Sequence, residues 1–182
     1  MVVIPCLENQ MERHLINQYR REMKRYVMTS RFNNATSTEN ARFRRQHEDK
    51  LGCVYCAPLT VAQAIPVDAV MFVLEMNNDT NKIMGIGMVR NHPRINLFQV
   101  YQNNNFNRYT YTGKCRIDRN SVSEDEDIIL RVFDVLCFTG HKHMKRGQGL
   151  TAFPVEMLCR CAYNKIDLVD FIVDMFKQRI TV

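Results

Sequence analysis

The 182-residue sequence contains no tryptophan, and no apolar run reaches the ~18 residues that a membrane-spanning helix needs. The motifs G-x-S-x-G, H-E-x-x-H and H-x-E paired with P-C-x-x-C do not occur. Their absence removes the serine-hydrolase elbow, the zincin helix and the deaminase zinc site as foundations for an enzyme. The P-loop spacing is missing too, as are internal repeats and low-complexity tracts longer than "NNN". The opening "MVVIPCLENQMER" has no basic segment followed by a long apolar one, so no secretory signal is expected. No catalytic residue and no cofactor are assigned from the sequence, and a nucleotide-processing enzyme ranks behind two binding readings.

What is present suits one domain with a basic surface. An apolar content of 46% supports a sizeable core, and the net charge of +6 suits a polyanionic partner as well as a merely solvated basic face. Seven cysteines (Cys6, Cys53, Cys56, Cys115, Cys137, Cys159 and Cys161) form an odd set, mostly within apolar stretches. Free thiols in an intracellular, reducing compartment are expected. "CVYC" at 53–56 has the spacing of half a zinc site or a redox pair, but a second half-site is missing. No metal is therefore assigned.

The chain divides at a change of pattern near Gly52. Residues 7–28 read as a helix, with Met11, Leu15, Tyr19 and Met23 four apart and Tyr26 and Val27 continuing the stripe. Its other face carries Arg13, Arg20, Arg21, Lys24 and Arg25. "TSRFNNATSTENARFRRQHEDK" (29–50) reads as a mobile linker with a short basic helix near 39–48. Residues 1–51 thus form a basic helical extension, and 52–182 an α+β domain. "VMFVLEM" (70–76) and "KIMGIGMVRN" (82–91), joined by the turn "NNDTN", predict a hairpin with a buried Glu75. Further strands are expected at 97–102, 107–113 and 114–119. A helix follows from Ser123, with Ser123 and Glu126 as a capping box and Gly140 as its terminator. A strand at "LTAFP", a brief helix from Pro154 and a last helix capped by Asp167 complete the order. Strand–helix–strand alternation is missing, so a strongly bent antiparallel sheet or small barrel flanked by helices is predicted.

Three groups of residues carry candidate chemistry. Gly85 and Gly87 share one strand face, which leaves a barrel corner or the close approach of a flat ligand open. In "VYQNNNFNRYTYTGKCRIDR" (100–119), Tyr101, Phe106, Tyr109 and Tyr111 could stack on bases. Asn105 could read a base edge, and Arg108, Lys114 and Arg116 could meet phosphates. The alternative is that the tyrosines pack against the first helix. In "TGHKHMKRGQGLT" (139–151), Gly147 and Gly149 free the backbone, Lys142, Lys145 and Arg146 add charge, and His141, His143 and Gln148 add polar groups. The combination suits phosphate, and a solvated basic hairpin is the other reading.

"VMFVLEMNNDTNKIMGIGMVRN", the Tyr-rich strands and the basic loop together resemble the PUA-like superfamily, nearest to its EVE, ASCH and YTH branches, over roughly residues 53–155. The resemblance implies a small bent β-barrel flanked by helices, with a pocket that takes RNA or a modified base. The Trp-rich cage of the YTH branch has no counterpart in a sequence without Trp. The Asn-rich style also resembles proteins of large DNA viruses. The expected partner is nucleic acid, with RNA or a single strand favoured over duplex DNA. The alternative is a structural protein whose basic helix docks on an acidic partner, and no membrane partner is expected.

Overall fold

The computed structural model describes residues 5–180. Cys6 and Met11, expected as a free thiol and as the start of an apolar stripe, have side chains outside the described residues. The chain runs α1 (Pro5–Glu22), β1 (Arg25–Phe32), α2 (Asn34–Gln46), β2 (Cys53–Ala57), β3 (Val70–Asn77) and β4 (Lys82–Arg90). It continues through β5 (Arg94–Ile95), β6 (Tyr109–Gly113), β7 (Cys115–Asp118), α3 (Glu124–Phe138), β8 (Leu150–Ala152), α4 (Val155–Tyr163) and α5 (Leu168–Ile180). The class is α+β. A five-stranded sheet has the order β7-β4-β3-β1-β8, and a three-stranded antiparallel sheet the order β2-β6-β5. No helix among the described residues is long and apolar enough to cross a membrane.

The larger sheet separates two cores. On one face, Phe72, Leu74 and Ile86 meet Phe133 of α3, Leu158 of α4 and Phe176 of α5. On the other, Met28, Met71 and Val73 meet Val54, Tyr55 and Tyr111 of the smaller sheet. The layers are therefore helices, five strands, then three strands. The central strand β3 is covered on both faces, which explains its continuous apolar run.

The hairpin, the capping box at Ser123 and Glu126 and the Asp167 cap stand as expected. Gly140 follows the end of α3 with φ +73°. The reading of the first fifty residues needs correction. α1 stops at Glu22, and residues 25–32 form a strand inside the larger sheet, parallel to β3 and antiparallel to β8. The supposed linker thus contributes β1 and a 13-residue helix, α2, and a boundary at residue 51 does not separate the sheet from what precedes it. Polar residues hid this strand. Thr29 and Ser30 are buried, and the Thr29 hydroxyl is satisfied by Thr151 across the β1–β8 pair. The strand expected at 97–102 is also wrong. That segment is irregular, followed by a 3-10 turn at Asn104–Asn107. The Asn107 side chain takes the place of a partner strand, accepting from Val100 N and Tyr101 N and donating to Tyr101 O.

Gly85 and Gly87 face the protein's own side chains. Met84 and Gly85 of β4 stand opposite Glu75 alone, in a bulge between the Leu74–Ile86 and Met76–Ile83 pairs. A side chain at 85 would collide with the Arg116 guanidinium, and one at 87 with the Tyr55 ring. The two glycines make room for a buried cluster. The Tyr55 hydroxyl donates to Glu75 Oε1 at 2.7 Å. Arg116 grips Glu75 through Nε and Nη2, and Asp118 Oδ2 through Nη1 at 2.7 Å. Burial alone would lower the Arg116 pKa, but Glu75 reverses that and drives it above its ordinary value.

Replacing Glu75 alone by Leu should cost about 3–5 kcal/mol, because Arg116 then keeps only the half-exposed Asp118. The double variant Glu75→Leu/Arg116→Met should recover part of that loss. Urea denaturation of the two variants measures the difference. At the other side of the protein, the Arg179 guanidinium holds Glu126 below the usual carboxylate range. A depressed folded pKa contributes stability above the unfolded value, and the contribution is lost as pH falls through the folded value. The urea midpoint should therefore stay level from neutrality to about pH 5 and fall below it. Arg179→Met should make that fall shallower.

Candidate functional site

The parallel pairing of β1 with β3 ends at Phe32 and Asn77. Beyond it the chain turns into α2. Asn33 caps this helix, with Oδ1 accepting from Thr36 N at 2.8 Å and the Thr36 hydroxyl accepting from Asn33 N. The β3–β4 turn locks onto the same helix end, where Asp79 Oδ2 accepts from Asn34 N and Asn77 Nδ2 donates to Asn34 Oδ1. A cavity of about 540 Å³ opens at this junction. One wall is the end of β1 and start of α2: Arg31, Phe32, Asn33, Thr36 and Glu39. Tyr101, Gln102, Asn103 and Phe106 form the second wall, and Gly147, Gln148 and Gly149 the third. Ser30, Ala35, Cys56 and Asn78 complete the lining.

Hydrogen bonds fix each wall. Asn40 of α2 donates to the Tyr101 hydroxyl at 3.0 Å and to Val54 O at 2.8 Å, joining the second wall to β2. The glycine wall is held by Arg31, whose Nε donates to Met144 O and whose Nη1 donates to the Thr151 hydroxyl at 2.6 Å. Asn78 Nδ2 donates to Lys145 O at 3.0 Å. Met144 and Leu150, the two apolar residues of the loop, are buried and hold its ends. Gly147 and Gly149 have φ +112° and +69°, which L side chains rarely adopt. The loop thus follows a set path along the cavity.

The sequence-based candidates separate into four groups. Tyr101, Gly147 and Gln148 line the cavity. Lys142 and Arg146 are exposed on the same loop, while His143 and Lys145 are half-buried, with His143 Nδ1 accepting from Lys145 N. Asn105, Arg108 and Lys114 are exposed elsewhere; Arg108 lies over the Tyr109 ring at 5.3 Å. Tyr111 and Arg116 are removed from contact with a ligand. Tyr111 is fully buried with its hydroxyl accepting from Val61 N, and Arg116 is consumed by Glu75 and Asp118. Tyr109 and Tyr111 therefore form no stacking pair.

Phe106, expected to stack on a base, also lines the cavity, while Arg31, Phe32, Asn33, Thr36, Glu39, Asn78 and Asn103 were missed. One signal was present: "NNAT" at 33–36 carries a helix cap directly after an apolar residue. The basic face of α1 is partly spent on α4, where Glu12 accepts from Arg160 and Arg20 lies 3.5 Å from Glu156.

Cys53 and Cys56 lie in an extended strand and point to opposite faces, towards Met88 O and the Thr110 hydroxyl. The six described cysteines are free, and no group of three or more His, Cys, Asp or Glu able to hold a metal lies among the described residues. Burial pushes the thiols of Cys53 and Cys137 up to about 12 and that of Cys56 up to about 11. At pH 8 these three should resist iodoacetamide in the native protein and react once urea unfolds it. Peptide mass mapping of the labelled protein would show a reactive Cys56 directly. Compared with known proteins, the chain matches no family model, no curated protein and no solved structure.

Proposed function

We propose that this protein binds single-stranded nucleic acid, RNA in preference, by taking one unstacked base into the cavity between β1, α2 and the 147–149 loop. The observation that carries this reading is the make-up of the walls. Phe32, Tyr101 and Phe106 supply aromatic surface, while Asn33, Asn78, Gln102, Asn103 and Gln148 supply amides. A base is a flat aromatic ring with donors and acceptors around its edge, and amides carry both. The loop that forms the third wall also carries exposed Lys142 and Arg146, placed for the phosphates on either side of that base. A base inside a duplex cannot enter such a cavity without leaving its stack, so single strands are favoured.

The two sheets also fit a PUA-like bent barrel. Support comes from the corner where β6 of the small sheet runs into β7 of the large one, at Gly113. A Cβ there would strike Met88 O, and Gly52 N donates to Gly113 O across the corner. Strands that switch sheets at such corners turn packed sheets towards a barrel. No histidine lines the cavity, and Glu39 is its one carboxylate. That composition favours binding over acid–base chemistry.

A fluorescently labelled single-stranded RNA should bind with an affinity that falls steeply as salt rises, by counterion release. Lys142→Ala/Arg146→Ala should lower the salt slope by about two units, one per lost phosphate contact, without shifting the melting temperature. Phe106→Ala should cost about 1–3 kcal/mol of binding if a base stacks there. Anisotropy titrations at several salt concentrations test all three. A salt-independent affinity, or none at low salt, would remove the nucleic-acid reading.

A further inference from the structure

Five arginines among the described residues are partly buried, and three of them have carboxylates. Arg116 has Glu75 and Asp118, Arg119 has Asp127 and Asp134, and Arg179 has Glu126. Arg44 has no ion pair and donates to the Asn40 side chain. Arg31 also has none, and of these two it is the one that lines the cavity. Its bonds go to a carbonyl, Met144 O, and a hydroxyl, Thr151 Oγ1. Among the described residues no carboxylate lies in ion-pair range of it, and Nη2 makes no hydrogen bond. Burial pulls the Arg31 pKa down, and the nearby Cys137 thiol only partly offsets the loss. The guanidinium still remains charged at neutral pH. A cation in this position carries a desolvation cost that a partner charge would normally offset.

The surroundings of Arg31 suit an anion. It lines the cavity and lies against Gly147, where a side chain would contact the guanidinium carbon at 3.4 Å. The first turn of α2 opens on the same space through Asn33, Ala35 and Thr36, and it contains no acidic residue. A helix start without acids adds partial positive charge. Glu39, the cavity's one carboxylate, sits six residues beyond the cap, about 9 Å further along the helix axis. The cavity is therefore polarised, positive near Arg31 and negative near Glu39.

We propose that Arg31 is the anchor of a phosphate subsite inside the cavity, so that the bound group is a nucleotide held by its phosphate as well as by its base. This rests on the base-binding reading of the same cavity and adds to it. The phosphate belongs either to a strand or to a free mononucleotide; the guanidinium edge recognises both.

Isothermal titration at low salt separates these cases. The probes are the four common ribonucleosides, their 5′-monophosphates and a single-stranded RNA of twelve nucleotides. For the native chain, at least one monophosphate should bind tenfold or more tightly than its nucleoside. Arg31→Gln should reduce that preference to twofold or less, and Arg31→Lys should leave an intermediate value, having charge without the planar fork. Thr151→Ala removes one partner of Arg31 and leaves its charge, so the preference should persist. That variant also keeps the test sound if Arg31→Gln fails to fold. Equal affinity for nucleoside and monophosphate in the native chain overturns the proposal, as does a preference that survives Arg31→Gln in a folded protein. If the RNA binds while monophosphates show no preference, the phosphate subsite falls and the RNA reading stands. If monophosphates bind through Arg31 and the RNA does not, the subsite stands, its ligand is a free nucleotide, and the RNA reading falls.

Discussion

Eight residues of β1 pair in parallel with eight of β3, and the cavity follows from where that pairing stops. Parallel neighbours finish at the same end of a sheet. Phe32 and Asn77 are therefore side by side, and Asn78 N donates to Phe32 O just beyond them. The chain leaving β1 must cross over before it can return as β3. It begins that crossing with α2, whose start opens beside the β3–β4 turn. An antiparallel partner would have placed a turn there and no helix end. The β8 strand on the other side of β1 brings the 140–149 loop to the same place, because Ser30 and Leu150 are paired. Two of the cavity's walls, the start of α2 and the 147–149 loop, thus depend on the position of a single strand.

That strand was the hardest element to see in the sequence. "RYVMTSRF" places Thr29, Ser30 and Arg31 where a buried strand usually carries apolar side chains. Their polarity is tolerated because each of the two longer donors has a specific acceptor, and those acceptors lie more than a hundred residues away, at Met144 and Thr151. Local pattern cannot report a partner at that distance. The Tyr26 and Val27 side chains, lying three and four residues after Met23 in an apparent helical stripe, completed the disguise. Elements with local signals were legible: the Asn77–Asn81 turn, the Ser123–Glu126 box, Gly140 after α3 and the Asp167 cap.

The same division runs through the site. The glycine loop was legible because Gly147 and Gly149 announce an unusual backbone whatever surrounds them. Tyr111 and Arg116 looked like ligand-binding residues because alternation puts both at plausible positions and says nothing about which sheet face is covered. Tyr111 was lost to the packing of one sheet on the other. Arg116 was lost to Glu75, a residue recognised as buried but with no indication of its partner. Gly85 and Gly87 were correctly marked as a place of close approach, and what approaches is the protein's own Tyr55 and Arg116.

The distribution of charge gives the excess of cations a direction. Ion pairs gather in the helical layer, where Arg119, Arg131, Lys177 and Arg179 all meet carboxylates, as do Arg20 and Arg160 at the α1–α4 contact. Arg42 and Arg45 on α2, Arg108 and Lys114 beside the small sheet, and Lys142 and Arg146 on the loop are exposed, with no ion pair among the described residues. A net charge of +6 is therefore not spread evenly, because the helices neutralise much of their own. Part of the surplus, Lys142 and Arg146, lies on the loop that borders the cavity, while exposed cations such as Arg13, Lys24, Lys82 and Arg94 lie on other elements. The loop cations would add to the attraction of a polyanion towards the cavity before any contact forms. Arg31 differs from the rim cations in being partly desolvated, so salt screens it less than it screens them. On the proposed reading, the rim cations would set how fast and at what ionic strength a strand arrives, and the partly buried guanidinium would set which part of it is retained.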